Sequence, residues 1–347
     1  MQYQRNRTPM ERAGYFIDGR GTVRDADDHK FVFTTQEQYE QLGEAVTDEV
    51  YRMLVSKCNL IKTQLKPLNE PPELPENLSF IYVSPDCQKK ETLLVLLHGS
   101  GVVRAGQWAR SLIINNNMRC GSQFPYIMKA LELGWGVVVM NTNHVGTNEA
   151  PLKYSRTPVE HALTAWKAWV ETSEAETIYV VAHSRGGVDI SAVMKQHGAD
   201  ERVAAVVLTD SWFTFSDAVT FRRKPLIVIN FQIQGFQNDA AYQVRNFVPN
   251  RVHNLFSGTR IHEWTNHCAF DAIFNIFEKK INVQNFRTVM LESKYMVTSE
   301  RDVVPDPDRE SSESSEFEDS DEVGPDDDVP EVANSGDDAP DAKRPRI

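Results

Sequence analysis

The chain has 347 residues, 41% of them hydrophobic, enough for one large α/β domain with a substantial buried core. Its formal net charge of −12 is unevenly placed: residues 300–347 hold 18 acidic and 5 basic side chains, whereas residues 1–299 hold 31 and 32. A folded part so close to neutral gives no support for a broad electrostatic surface for nucleic acid, so no direct nucleic-acid partner is expected.

The opening residues, "MQYQRNRTPMERAGYF", lack the apolar run of a secretory signal, and no apolar stretch approaches the roughly 18 residues of a membrane span. The expectation is a protein made in the cytosol, neither secreted nor in a membrane. Cys58, Cys87, Cys120 and Cys268 are far apart and form no CxxC pair. That spacing argues against a zinc or redox site and fits reduced thiols, so neither metal nor cofactor is expected.

Residues 1–13 are polar and read as a flexible N-terminus. From 14 to 65 an N-terminal extension follows: "YFIDGRGTVRD" and "KFVFTT" look like short strands around a turn. Tyr39, Leu42, Ala45, Val46, Val50, Met53 and Leu54 then recur at helical spacing. "KPLNEPPELPEN" (66–77) is a proline-rich connector.

Beyond it, apolar runs alternate with helical patterns. The runs are "SFIYVS" (79–84), "TLLVLLHGS" (92–100), "WGVVVMNTN" (135–143), "TIYVVAHS" (177–184), "VAAVVLTDS" (203–211) and "PLIVINFQ" (225–232). Short, continuously apolar, β-branched runs suit strands buried on both faces, hence a mostly parallel sheet flanked by helices. The helices expected between and after them are "SQFPYIMKALELG", "TPVEHALTAWKAWVE", "GVDISAVMKQHG" and "CAFDAIFNIFEKK". One domain over 14–299 is the expectation, with an acidic, proline- and serine-rich tail over 300–347 that cannot offset the entropy of ordering itself and is read as disordered.

Three pieces carry chemistry, each at the end of an expected strand, where α/β sheets place their ligands. In "VVAHSRGG", Ser184 sits between a strand and a helix with small residues two positions away on either side, as a sharp nucleophile-bearing corner requires. The backbone N–H of Arg185 is then placed for an oxyanion, and its cationic side chain suggests an anionic or polar ligand. "LHGSGVVRAGQWAR" follows a strand with Gly99, Ser100 and Gly101, whose amides can turn toward a developing negative charge. His98, early in the chain, reads as a structural histidine of that loop. Asp210 is the first acidic residue at a strand end after Ser184, while Asp189 and Asp200 read as solvated residues of the intervening helix and its end. "SGTRIHEWTNHCAFDAIF" supplies His262 and His267 as bases, and spacing alone does not choose between them. The segment 212–257 offers no interpretable motif and is left as an undefined lid.

The run "LLVLLHGSGVVRAGQWARSLIIN", the corner "VVAHSRGG", the strand end "LTDS" and "SGTRIHEWTNHCAF" resemble the argonaute-binding-protein-2-like domain, the family-with-sequence-similarity 172 group of cotranscriptional regulators. "FVFTTQEQYEQLGEAVTDEVYRMLVSKCNL" and "TPVEHALTAW" are similar too, so the resemblance covers roughly residues 14 to 280. It implies an α/β-hydrolase-like fold and a role in nucleus and cytoplasm with argonaute proteins and chromatin or splicing proteins, in small-RNA-linked silencing, heterochromatin or splicing. It also implies that the family's serine, aspartate and histidine fall on Ser184, Asp210 and His262, which favours His262 over His267. Arg185 departs from the family, where an aromatic is more usual. If the triad is active, a small ester, thioester or amide is the substrate. The end "RPRI" is no endoplasmic-reticulum retention tetrapeptide, and "KRPR" reads as a short nuclear-import signal.

Overall fold

The computed structural model describes residues 7–67, 77–235 and 243–302. The expected disordered tail from 303 onward, with its "KRPR" end, and most of the proline-rich connector lie outside the described residues. All the described residues belong to one compact unit, Met1–Val303.

Strands β1 (Tyr15–Ile17) and β2 (Val23–Asp25) pair antiparallel as a hairpin. The others are β3 (Ile61–Gln64), β4 (Phe80–Val83), β5 (Thr92–Leu97), β6 (Gly136–Val139), β7 (Thr177–His183), β8 (Val203–Thr209), β9 (Ile227–Gln232) and β10 (Val252–Phe256). They form one eight-stranded sheet in the order β10-β9-β8-β7-β5-β6-β4-β3. Only β4 runs against its neighbours; the other pairings are parallel. A single reversed strand near one edge of an otherwise parallel sheet, with β5 and β6 exchanged in order, is the α/β-hydrolase arrangement. The order reverses between β5 and β7, so the crevice for a ligand opens at the carboxyl ends of these two strands.

Successive side chains of a strand point to opposite faces, and here they divide cleanly between two cores. Leu94, Leu96, Tyr179, Val181, Val207 and Ile229 face one core, shared with helices Gln36–Ser56, Phe124–Glu132, Phe270–Glu278 and Phe286–Lys294. Leu93, Val95, Leu97, Val180, Ala182 and Val206 face the other, shared with helices Pro158–Ala165 and Gly186–His197. Helices on both faces explain why the strands read as unbroken apolar runs.

The structure departs from expectation at several elements. Residues 30–35 form no strand: Lys30 makes one bridge to Arg24, and Thr35 accepts from the Gln38 N–H to cap helix Gln36–Ser56. The segment expected to be flexible at the N-terminus contains helix Pro9–Arg12, closed by a Thr8–Glu11 capping box, with Met10 buried. Two edge strands, β3 and β10, were not expected; β10 lies inside the stretch read as an undefined lid. Among the described residues no helix is long and apolar enough to cross a membrane.

Helix Gln36–Ser56 lays Leu42, Val46, Val50 and Leu54 against the domain. It meets the backbone so closely that a Cβ on Gly106 would stand 2.6 Å from Val50 Cγ1. On the same face of the sheet, Phe277 stacks on Tyr179 with ring centroids 4.4 Å apart. Phe277 is fully buried, so Phe277→Ala should cost about 3–5 kcal/mol of unfolding free energy by denaturant titration. A loss under about 1 kcal/mol would mean that this core is not packed as described.

Candidate active site

A serine held at the end of a buried strand can be lifted clear of the sheet only if the chain turns sharply. Ser184 follows β7 directly and adopts φ +50°, a left-handed conformation rare for a residue with a Cβ. The turn needs glycine behind it: a Cβ at Gly186 would stand 2.8 Å from the His98 carbonyl oxygen, and one at Gly187 2.5 Å from that of Trp212. Helix Gly186–His197 starts at once, with Arg185 at its N-cap.

The end of β8 repeats the device. Asp210 adopts φ +45°, and its N–H donates to the Phe231 carbonyl at 2.7 Å. The next residue joins the two turns, because the Ser211 hydroxyl donates to the Ser184 carbonyl. Asn230, buried in β9, grips Ser211 from below: its Oδ1 accepts the Ser211 N–H at 3.3 Å and its Nδ2 donates to the Ser211 carbonyl.

His262, in the loop before the last helices, presents Nδ1 to Asp210 Oδ2 at 2.5 Å. An ionised carboxylate can only accept, so Nδ1 carries the proton and the neutral ring keeps Nε2 free as a base. Burial pulls the His262 pKa down, but the hydrogen bond and charge of Asp210 outweigh it and leave it raised. Its ring lies on that of His183, centroids 4.6 Å apart. His183 is buried and, with Nδ1 on the Thr209 carbonyl at 3.1 Å, is pushed down to about 3 by burial and by the His262 charge. It therefore supports His262 as a neutral ring. Among the described residues no hydrogen bond joins Ser184 Oγ to His262; such contacts are often open in unliganded sites and tighten on binding.

His267, the other candidate base, makes no hydrogen bond or ion pair with a carboxylate among the described residues: its Nε2 stands 4.0 Å from the Cys120 thiol. His98 is buried, donates Nδ1 to the Gly99 carbonyl at 2.9 Å, and is pushed down to about 4 by burial, so it is a fixed neutral part of its loop.

That loop borders the serine directly. A Cβ at Gly99 would stand 3.0 Å from Ser184 Cβ and 3.5 Å from its Oγ. The backbone N–H groups of Gly99, Ser100 and Arg185 have no acceptor among the described residues, as an oxyanion site requires. The loop is held from outside by Asn143, whose Nδ2 donates to the carbonyls of Gly99, Gly101 and Val103 at 2.9–3.1 Å. Asn141 Oδ1 accepts the Ala105 N–H at 2.9 Å.

One residue read as solvated is not. Asp189 is fully buried, neither carboxyl oxygen has a hydrogen-bond partner, and burial pushes its pKa up to about 6 against the pull of Arg185. Asp200 is partly buried and bound by Arg202 at 2.6 Å. His183, Asn143, Ser211 and Asn230 were missed from the sequence. Only His183 carried a local signal, its place beside the serine. Among the described residues the one cluster of metal-type side chains, Asp25, Asp27 and His29, lies in the turn after β2 and takes no part in this site.

The Asp210–His262 pair fixes a pH signature. A raised pKa means that the pair adds stability below about pH 6.5, lost as pH rises through the folded value; the neutral ring, the form a base needs, appears over that same rise. By NMR titration the His262 ring should titrate above 6.5, and in Asp210→Asn lower than in the wild type, since burial is then opposed only by the charge of Glu263. A wild-type value below 6.5 would mean that the pair does not form in solution.

Comparison with known proteins adds the lineage. The Arb2 domain family matches residues 7–150, which include the loop at Gly99 but not Ser184, Asp210 or His262. A FAM172 family protein homolog of Caenorhabditis elegans is 52% identical over 290 residues, covering 83% of this chain and 92% of its own. Cotranscriptional regulator ARB2A of Homo sapiens is 32% identical over 301 residues, covering 70% of this chain and 71% of its own. Among solved structures, a histone deacetylase from Saccharomyces cerevisiae aligns with TM-score 0.44 and 10% identity over 69% of this chain and 98% of that one. Identity of this extent over nearly the whole of the nematode relative places the chain in the FAM172 family, with the ARB2A proteins.

Proposed function

We propose that this chain is a cotranscriptional regulator that works in the nucleus, and that it binds an argonaute-family protein together with chromatin or splicing proteins. The observation that supports this reading is its 32% identity with human ARB2A, whose name is that of a cotranscriptional regulator. A hydrolase scaffold is no obstacle, since folds are reused and function resides in the surfaces built on them. Small-RNA-linked silencing, heterochromatin and splicing are the processes it would serve. Precipitation of the tagged full chain from nuclear extract should bring down an argonaute protein, and Ser184→Ala should bring down as much. Absence of argonaute from the wild-type precipitate would sink the reading.

A second reading is favoured by a different observation, the left-handed Ser184 beside a paired Asp210 and His262. In it the chain is also a serine hydrolase of esters, thioesters or amides. Ser184 Oγ bonds to the acyl carbon while its proton passes to His262 Nε2, which hands it to the departing alcohol, thiol or amine. Water then attacks the acyl-serine, its proton returns through His262 to Ser184 Oγ, and a carboxylic acid leaves. Asp210 orients the imidazole and the Gly99, Ser100 and Arg185 amides receive the oxyanion. A fluorophosphonate probe should label the wild type and not Ser184→Ala, and Asp210→Asn should slow labelling about 10³–10⁴-fold. Equal labelling of wild type and Ser184→Ala would exclude Ser184 as nucleophile.

A further inference from the structure

The residue after the nucleophile supplies its backbone N–H to the oxyanion whatever its side chain, so a charged side chain there has a separate consequence. Arg185 is such a residue, and its side chain is 41% exposed. Its ion partner, Asp189, stands at 3.9 Å, beyond hydrogen-bond length, and both Asp189 oxygens lack a hydrogen bond. A tight Arg–Asp pair is a two-pronged contact at 2.7–2.9 Å that uses the guanidinium fork. Here Asp189 balances the charge from a distance and leaves the fork of Arg185 without a hydrogen-bond acceptor among the described residues.

The segments that carry the site residues also expose large apolar side chains: Val102 is 54% exposed, Trp212 63% and Ile261 43%. Single exposed apolar residues are ordinary. These three are different in place: Val102 is two residues after Ser100, Trp212 two after Asp210, and Ile261 immediately before His262. An apolar rim lowers the local dielectric and strengthens any charge interaction made inside it. Asp210 is engaged by His262, on which Glu263 also acts, and Arg185 is the cation that directly follows the serine with its guanidinium not hydrogen-bonded.

We propose that Arg185 sets the specificity of this site, which takes esters whose acyl group has an apolar body ending in a carboxylate. The proposal rests on the hydrolase reading. The exposed apolar side chains receive the body of the acyl group, the Gly99, Ser100 and Arg185 amides its carbonyl, and the guanidinium its far carboxylate.

The test uses the full chain and two esters of equal length, the 4-nitrophenyl half-ester of glutaric acid and 4-nitrophenyl pentanoate, which differ in a terminal carboxylate. The wild type should favour the half-ester in kcat/KM by about tenfold or more, the effect of one charged hydrogen bond. In Arg185→Gln, which keeps the backbone N–H, the ratio should fall to about one, and Arg185→Lys should restore part of it. A wild-type ratio at or below one, or an unchanged ratio in Arg185→Gln, overturns the proposal while leaving the hydrolase reading standing. If neither ester is turned over, the hydrolase reading falls and binding decides Arg185. Calorimetric binding of monomethyl glutarate in preference to dimethyl glutarate, lost in Arg185→Gln, upholds it; equal binding of the two overturns it.

Discussion

Two residues that carry a Cβ, Ser184 and Asp210, are held in left-handed backbone at the ends of neighbouring strands, and the site depends on that constraint. Each such residue costs about 1–3 kcal/mol relative to a relaxed backbone and persists only where its surroundings over-determine it. Here they do so through one chain of contacts. Asn230 in β9 fixes the backbone of Ser211 on both sides, and the Ser211 hydroxyl reaches the carbonyl of Ser184. Three adjacent strands are thereby tied at their carboxyl ends. The strain that aims the serine and the strain that aims the aspartate are balanced by the same polar groups.

Electrostatically the site is layered. His262, half-exposed, is held toward its protonated form by Asp210; beneath it, buried His183 stays neutral because ionisation there would be unsolvated. A neutral ring against that of His262 gives contact without a competing charge. Asp189 is the opposite case, a buried acid next to the elbow with no hydrogen bond to share its charge. Burial acts against the charged form of both groups, and for Asp189 the charge of Arg185 opposes it.

Much of the architecture was legible because six strands are buried on both faces and so are spelled in unbroken Val, Ile and Leu. The strands that escaped notice sit at or near the edges. β3 reads "IKTQ" and is largely exposed, and β10 reads "VHNLF", where two polar residues interrupt the apolar run. The positions of Ser184 and Asp210 were legible as strand ends. The choice between His262 and His267 was not, because only four residues separate them and only the fold shows which ring is hydrogen-bonded to a carboxylate. Asn230 was hidden for a different reason. It lies within the apolar run "PLIVINFQ", and its importance comes from a neighbouring strand, so no local pattern marks it. Asp189 misled because a charged residue early in a helix usually faces water, whereas this turn of helix is pressed inward.

The N-terminal helix Gln36–Ser56 has a relation to the chemistry that its distance along the chain conceals. Val50 and Leu54 occupy the space a side chain on Gly106 would need, Thr47 Oγ1 accepts from Gln107 Nε2 at 3.0 Å, and the Tyr51 hydroxyl accepts from Asn141 Nδ2 at 3.3 Å. The loop that carries Gly99 and Ser100 thus rests on an element that lies outside the core hydrolase sheet. A shortened form of this protein beginning after residue 65 would still contain serine, aspartate and histidine in their proper order. It would nonetheless have lost the floor beneath its anion cradle, so an inventory of triad residues alone misjudges which members of such a lineage keep a working pocket.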